Sequence, residues 1–312
     1  MRLTASSPTS SRSSGYIGRF APSPSGKLHF GSLVSAVSSY LDAKTQHGKW
    51  LVRMEDLDPP REEAGAADSI IRSLEAHHLL WDGEVLYQSS RLDAYEAALE
   101  HLQDRIYPCS CIRQRIISLE GQYDGHCRSR QPNDDAPTAI RLKTDQLSSK
   151  QTQIAETFED LILGPQSIPL SLTGDYILRR KDGLFAYQLA VAVDDHFQGI
   201  THVVRGYDLL DSTSRQRYLF LLLGMNVPQY GHTPLALGQD GHKLSKQTKA
   251  APIIDQDAVN NLTTALGFLG HPPPNELIEE NNCSTLLAWA TENWQRERIP
   301  QHSSVAPPLR SA

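Results

Sequence analysis

Tyr16-Ile17-Gly18-Arg19-Phe20-Ala21-Pro22-Ser23-Pro24-Ser25-Gly26-Lys27-Leu28-His29-Phe30-Gly31 is the stretch on which the fold turns. Apolar Ile17 and Phe20 mark a short strand, the Pro- and Gly-rich segment 21–26 forces a turn, and Leu33 to Leu41 has helical spacing. Strand, turn, helix is the opening of a Rossmann-like α/β unit. In such a unit a helix N-terminus faces whatever binds beyond the strand's carboxyl end. His29 and Gly31 fall on that turn, where a glycine lets backbone approach a nucleotide closely and an imidazole can meet a phosphate. A lone histidine in a Gly-flanked turn is more often structural, so its weight depends on its surroundings.

Working outward, Trp50-Leu51-Val52-Arg53-Met54 reads as a second strand, running into Glu55-Asp56-Leu57-Asp58-Pro59-Pro60. Carboxylates at the end of a parallel strand lie where doubly wound sheets bind ligands. Glu62 to Leu80 has helical periodicity, with Ala64, Ala67, Ile70, Ile71 and Leu74 on one side, and Asp93 to Ile106 reads as a further helix. Apolar Phe185 to Val193 ends in Asp194-Asp195-His196, the β-branched run Thr201 to Val204 is closed by Arg205-Gly206, and Ser212 to Leu223 is helical. Pro234 to Leu237 is a last strand before a Lys-rich loop, and the pattern beyond Ala251 is thinly helical. The expected organisation is a disordered Ser/Thr/Pro-rich tail (1–14), a Rossmann-like domain from 15–100 and 185–250, an insert at 101–184 and a short helical portion at 251–312.

A chain of 312 residues with net charge −6 and no apolar run long enough to span a bilayer fits a cytoplasmic enzyme. Segment 1–14 lacks the apolar stretch of a secretory signal. The acidic balance does not announce a nucleic-acid binder, although Arg113, Arg115, Arg128, Arg130, Arg179, Arg180 and Lys181 can form a local basic face. Three of the four cysteines, Cys109, Cys111 and Cys127, crowd into nineteen positions, which favours a metal knuckle over disulfides. Three thiolates need one more ligand for tetrahedral zinc, and His126 is the obvious candidate on general chemistry.

Arg19 through Gly26 with His29, and Lys243-Leu244-Ser245-Lys246 after Gly238-Gln239-Asp240-Gly241-His242, together resemble the two signatures of class I aminoacyl-tRNA synthetases in their glutamyl form. The resemblance implies a class I synthetase catalytic domain that joins glutamate to ATP, with Mg2+, and gives catalytic roles to His29, Lys243 and Lys246. His29, Gly31 and Lys246 would meet ATP. Arg19, Phe20, Ala21, Pro22, Ser23, Glu55, Tyr187 and Arg205 would line the glutamate pocket. The chemistry suits these types: a side-chain carboxylate wants a guanidinium such as Arg19 or Arg205, and an α-ammonium wants Glu55. Tyr187 can donate a phenolic hydrogen bond or simply pack in the core. The zinc-bearing relatives favour a Cys-x-Cys…Tyr-x-x-x-Cys arrangement, so Tyr123 stands beside His126 as fourth ligand. One departure is Ser32, where the general class I signature has a second histidine.

Leu28 through Leu33, Val52 through Arg61, and Tyr123-Asp124-Gly125-His126-Cys127-Arg128 resemble more narrowly the glutamyl-queuosine tRNA(Asp) synthetases, a truncated branch without an anticodon-binding domain. That likeness implies a monomer whose partners are L-glutamate, ATP and the tRNA(Asp) anticodon stem-loop carrying queuosine. Glutamate would be activated in the absence of tRNA and passed to the queuosine base. The alternative is a truncated glutamyl-tRNA synthetase that charges the 3′ end of tRNA(Glu).

Overall fold

The computed structural model describes residues 15–119, 122–130, 136–237, 251–302 and 304–305; the expected tail 1–14, Lys243 and Lys246 lie outside them. From β1 (Ile17–Phe20) the chain turns into α1 (Phe30–Thr45) and returns as β2 (Lys49–Met54), parallel to β1. α2 (Ala66–Ala76) leads to β3 (Leu86–Tyr87), parallel to β2, and α3 (Leu92–His101) leaves the sheet. The middle of the chain holds β4 (Ile106–Cys109), α4 (Arg113–Ser118), β5 (Ala139–Leu142) and α5 (Ser149–Glu156). β6 (Thr157–Asp160) and β7 (Gly164–Ser167) follow as an antiparallel pair, then β8 (Tyr176–Arg179). α6 (Tyr187–Phe197), β9 (His202–Gly206), α7 (Ser212–Leu222), β10 (Gln229–Thr233) and β11 (Leu235–Ala236) return to the first layer. α8 (Ala258–Phe268), α9 (Asn275–Glu279), α10 (Cys283–Asn293) and β12 (Ser304–Val305) complete the described chain.

A parallel sheet, β1-β2-β3, and a mixed one, β7-β6-β10-β9, in which β7 alone runs antiparallel to its neighbour, carry the fold. They meet where the Thr201 amide donates to the Ile17 carbonyl at 2.9 Å. β2 reads Trp50, Val52, Arg53 and Met54 as buried, the profile of a strand covered on both faces. α1 packs Leu33, Val34, Val37 and Leu41 into that core and is covered in turn by Leu262 and Leu266 of α8 and Leu286 of α10. A second core joins Tyr95 of α3, Leu189 of α6, Leu178 of β8 and Tyr218 of α7. β4, β5 and β8 form a separate antiparallel sheet in that order.

The expected helix 62–80 is shorter, Ala66–Ala76. Gly65 stands before it with φ +76°, and a 3-10 turn occupies Pro59–Arg61. The expected helix 93–106 ends at His101, because Ile106 opens β4 opposite Leu142. Residues 157–167, counted with the insert, supply β6 and β7 to the β9–β10 sheet. Among the described residues no helix is long and apolar enough to cross a membrane.

Candidate active site

A cavity of about 480 Å³ opens at the carboxyl ends of β1, β2 and β9, against the first turn of α1. Arg19, Phe20, Ala21, Pro22, Ser23, His29, Gly31, Glu55, Tyr187 and Arg205 all line it, so the structure brings together every described residue that the sequence assigned to glutamate or ATP. α1 begins here because His29 caps it: its Nδ1 accepts from the Ser32 amide at 3.3 Å and its Nε2 lies 3.1 Å from Ser32 Oγ. Ser32, which replaces the second histidine of the signature, is thus the partner of the first. The leading amides of this helix, at the positive end of its dipole, make the wall of the cavity receptive to an anion. Gly206 lines the opposite side, where a Cβ would meet Asp208 Oδ1 at 2.7 Å.

Behind the wall lies a buried ionic network. Asp195 Oδ1 accepts from Arg19 Nε at 3.2 Å and Arg53 Nη1 at 2.7 Å, while Arg53 Nη2 reaches Glu55 Oε1 at 3.4 Å. Arg53 is wholly buried and its Nη1 also meets Gln198 Oε1 at 2.9 Å. Two guanidinium groups and two carboxylates therefore balance, and one of each sign faces the cavity. Burial pushes the Glu55 carboxyl above its ordinary value; Arg53 and Arg19 draw it back only in part. Burial also works against the Asp195 carboxylate, but Arg19 and Arg53 outweigh it and hold that group below the usual range. Asp194, beside it, takes Arg91, Gln88 and Tyr95 at 2.7, 2.9 and 2.6 Å, while His196 is exposed.

Arg205 is held on every side. Its Nε donates to His232 Nε2 at 3.1 Å, Nη1 to Gln216 Oε1 at 2.7 Å and the Tyr187 hydroxyl at 3.4 Å, and Nη2 to the Leu209 carbonyl at 3.1 Å and Thr213 Oγ1 at 2.9 Å. Sequence reasoning missed Arg53, Gln198, Thr213, Gln216, His232 and Asp160. Only Arg53 left a signal, a charge between apolar neighbours in a strand buried on both faces.

A smaller cavity of about 270 Å³ shares Ser23, Glu55 and Tyr187 with the first and extends to Arg180. Arg180 also borders an open cavity of about 640 Å³ beside the cysteines. Much of the expected basic face is paired locally: Arg128 with Asp175 and Asp145, Arg115 with Asp124, Arg179 with Glu96, and Arg180 with Asp58 and Asp182.

The Sγ atoms of Cys109, Cys111 and Cys127 lie within 4.8 Å of one another. The Tyr123 hydroxyl joins them, 3.4 Å from Cys109 Sγ and 3.6 Å from Cys111 Sγ. Among the described residues His126 is not in this group; its amide donates to Asp124 instead. Tyr123 is seated by close backbone approach, since a Cβ at Gly174, whose φ is +62°, would lie 2.1 Å from its carbonyl oxygen. Arg141 stacks its guanidinium 3.9 Å over the Tyr123 ring and donates to Cys109 Sγ at 3.3 Å. Burial opposes a Cys127 thiolate, yet hydrogen bonds with Tyr123 and Cys111 bring that thiol down to about 7. Converging soft donors beside a cation suit a metal ion, and the three cysteines can hold one.

Residues 17–266 match the family described as tRNA synthetases class I (E and Q), catalytic domain. The chain is 50% identical over 294 residues to a protein of Serratia proteamaculans named glutamyl-Q tRNA(Asp) synthetase, covering 93% of this chain and 94% of that one. A protein of the same name from Thiobacillus denitrificans is also 50% identical, over 301 residues, 94% of this chain and 97% of the other. Among solved structures, a glutamate-tRNA synthetase from Elizabethkingia anophelis superposes with a TM-score of 0.74 at 23% identity, over 93% of this chain and 67% of that one, a likeness of fold. A family match over residues 17–266 and 50% identity over 93% of the chain converge with the parallel β1-β2-β3 sheet and helix-capping His29: the chain belongs to the class I tRNA synthetases of the E and Q type, the family that includes the glutamyl-Q tRNA(Asp) synthetases.

Proposed function

We propose that this synthetase activates glutamate with ATP in the absence of tRNA and transfers it to the queuosine base at the first anticodon position of tRNA(Asp). The observation that carries this reading is the 50% identity over nearly the whole length of relatives bearing the glutamyl-Q name. Glutamate lies in the cavity at the carboxyl ends of β1, β2 and β9, its ammonium on Glu55 and its side-chain carboxylate toward Arg19, Arg205 and Tyr187, with Phe20, Ala21, Pro22 and Ser23 shaping the floor. ATP takes the N-terminal end of α1, where His29 and Gly31 meet its phosphates; Lys243 and Lys246, with Mg2+, neutralise the leaving pyrophosphate. An α-carboxylate oxygen attacks the α-phosphorus and the bond to pyrophosphate breaks, chemistry that needs positioned donors more than a covalent nucleophile. A hydroxyl of the queuosine cyclopentenediol then attacks the acyl carbon of the adenylate and AMP leaves.

Cys109, Cys111, Cys127 and Tyr123 hold a structural zinc that keeps the insert in shape, within the division 15–100 with 185–250, 101–184 and 251–312. The enzyme works as a cytoplasmic monomer. Labelled glutamate tests the reading. It should migrate with an anticodon fragment after ribonuclease digestion, and glutamate-dependent pyrophosphate exchange should persist in ribonuclease-treated protein. Label on the terminal adenosine would return the chain to enzymes that charge tRNA(Glu).

A further inference from the structure

We infer that His232 is a positioning residue for the amino-acid pocket: held by Asp160, its imidazole orients Arg205 and, through Arg205, the Tyr187 hydroxyl. The inference rests on the reading of the cavity between β1, β2 and β9 as the glutamate site. A guanidinium can only donate, so the Arg205 Nε bond requires His232 Nε2 to accept. The ring proton therefore sits on Nδ1, which donates to Asp160 Oδ2 at 2.5 Å. Asp160 is itself fixed, its Oδ1 accepting from the amides of Ile162, Leu163 and His232 at 3.0, 2.9 and 3.1 Å. The result is a carboxylate–imidazole–guanidinium relay that crosses β6, β10 and β9 without reaching solvent. The groups facing the ring are Asp160, Arg205, Thr213, the parallel Tyr230 ring and, further off, Asp208. Burial brings the imidazole down to about 4, which keeps its acceptor available at neutral pH.

The relay matters because Arg205 has no N–H to spare. All five are engaged; two of the acceptors, Leu209 and Tyr187, line the cavity, and the bond to Tyr187 is the longest of the five. A substrate carboxylate most readily displaces Tyr187 from that long Nη1 bond or binds the Tyr187 hydroxyl. In both cases the aim of one N–H decides the fit, and a planar fork is aimed by the bond at its Nε.

The test is glutamate-dependent pyrophosphate exchange with His232→Asn and His232→Gln, each checked for melting temperature. Asn keeps a donor toward Asp160 and loses the acceptor toward Arg205; Gln places an oxygen near the Nε2 position. Asn should raise the glutamate KM roughly tenfold, the equivalent of one hydrogen bond to a charged group, with the ATP KM unchanged. Gln should recover most of that loss. A wild-type glutamate KM in both variants, or equal loss in both, overturns the inference. If the wild type activates no amino acid, the pocket reading falls and the Arg205 Nε–H resonance judges the relay separately. A resonance displaced in Asn but not in Gln upholds it; one that is the same in all three proteins overturns it.

Discussion

The cavity between β1, β2 and β9 draws its charges from positions 19, 53, 55, 195 and 205, whereas the cysteine cluster draws its donors from 109 to 127. The first is tied into two large cores and satisfies its own ions, Arg53 and Arg19 against Asp195 and Glu55. The second rests on a small core of Tyr107, Cys109, Tyr123 and Cys127, and three of these are the thiol and phenol groups themselves. One region is organised by its own cores and ion pairs; the other has little apolar surface, and under the proposed zinc reading its loops would depend on the ion its donors hold.

The largest test of that contrast is removal of metal. Structural zinc is worth about 10–16 kcal/mol to small zinc-bound peptides, so chelation or Cys109→Ser should open the segment from β4 to β5. Amide exchange across residues 106–142 should rise sharply while β1, β2 and β9 keep their protection. Glutamate-dependent pyrophosphate exchange should survive within a few-fold, and equal loss of protection in both regions would erase the distinction.

The mirror experiment attacks the cavity. Arg53→Met leaves Asp195 with one guanidinium instead of two and strips Glu55 of its neighbour, so it should cost about 3–5 kcal/mol of stability. Metal content should stay unchanged. Arg19→Ala removes the other partner of Asp195 and should also weaken glutamate activation. A loss below about 1 kcal/mol for Arg53→Met would mean that the network is not what holds this wall together.

The sequence made one half of this picture plain. β1, the turn after it and α1 are contiguous, and Cys109, Cys111 and Cys127 lie within one short segment, so spacing alone brings out a metal knuckle, although Tyr123 is reached only through the family resemblance. Arg53, Asp160 and His232 were not legible as a site because their partners are far along the chain. Arg53 meets a residue 142 positions away and Asp160 one 72 away. β10 was missed for a related reason: Gln229-Tyr230-Gly231-His232-Thr233 has no apolar alternation, since buried His232 and Thr233 are satisfied by neighbours that no local pattern shows.

A finer comparison lies within the cluster. Tyr123→Phe removes the hydroxyl that meets two thiols and should weaken metal binding roughly ten- to a hundredfold, at least the effect of losing an outer partner of a metal ligand. His126→Ala should leave affinity unchanged. Competition with a coloured chelator measures both. The reverse ranking would make the imidazole the fourth ligand.

The smallest effect is one of pH, and it separates binding from folding within the cavity. Glu55 must be ionised to receive an ammonium, yet burial raises its pKa, with Arg53 and Arg19 offsetting that only in part. As pH falls, Glu55 therefore takes up its proton at a higher pH than an ordinary glutamate, whose pKa is about 4.3. The glutamate KM should rise a few-fold on acidification before that value is reached, and Arg53→Met should move the onset higher still. Asp195 behaves oppositely. Its folded pKa is depressed, so its stabilising contribution is present above about 3.9, the unfolded value, and is lost only as pH falls through the lower folded one. His232, at about 4 in the fold against about 6.5 unfolded, withdraws some stability between those values, because the unfolded chain binds the proton first. Melting temperature followed in parallel with KM, and Glu55→Gln as the variant with nothing to titrate, divide the two effects. A wild-type glutamate KM that stays flat on acidification until the ordinary carboxylate value of about 4.3 is reached would remove Glu55 from ammonium recognition and leave it a structural partner of Arg53.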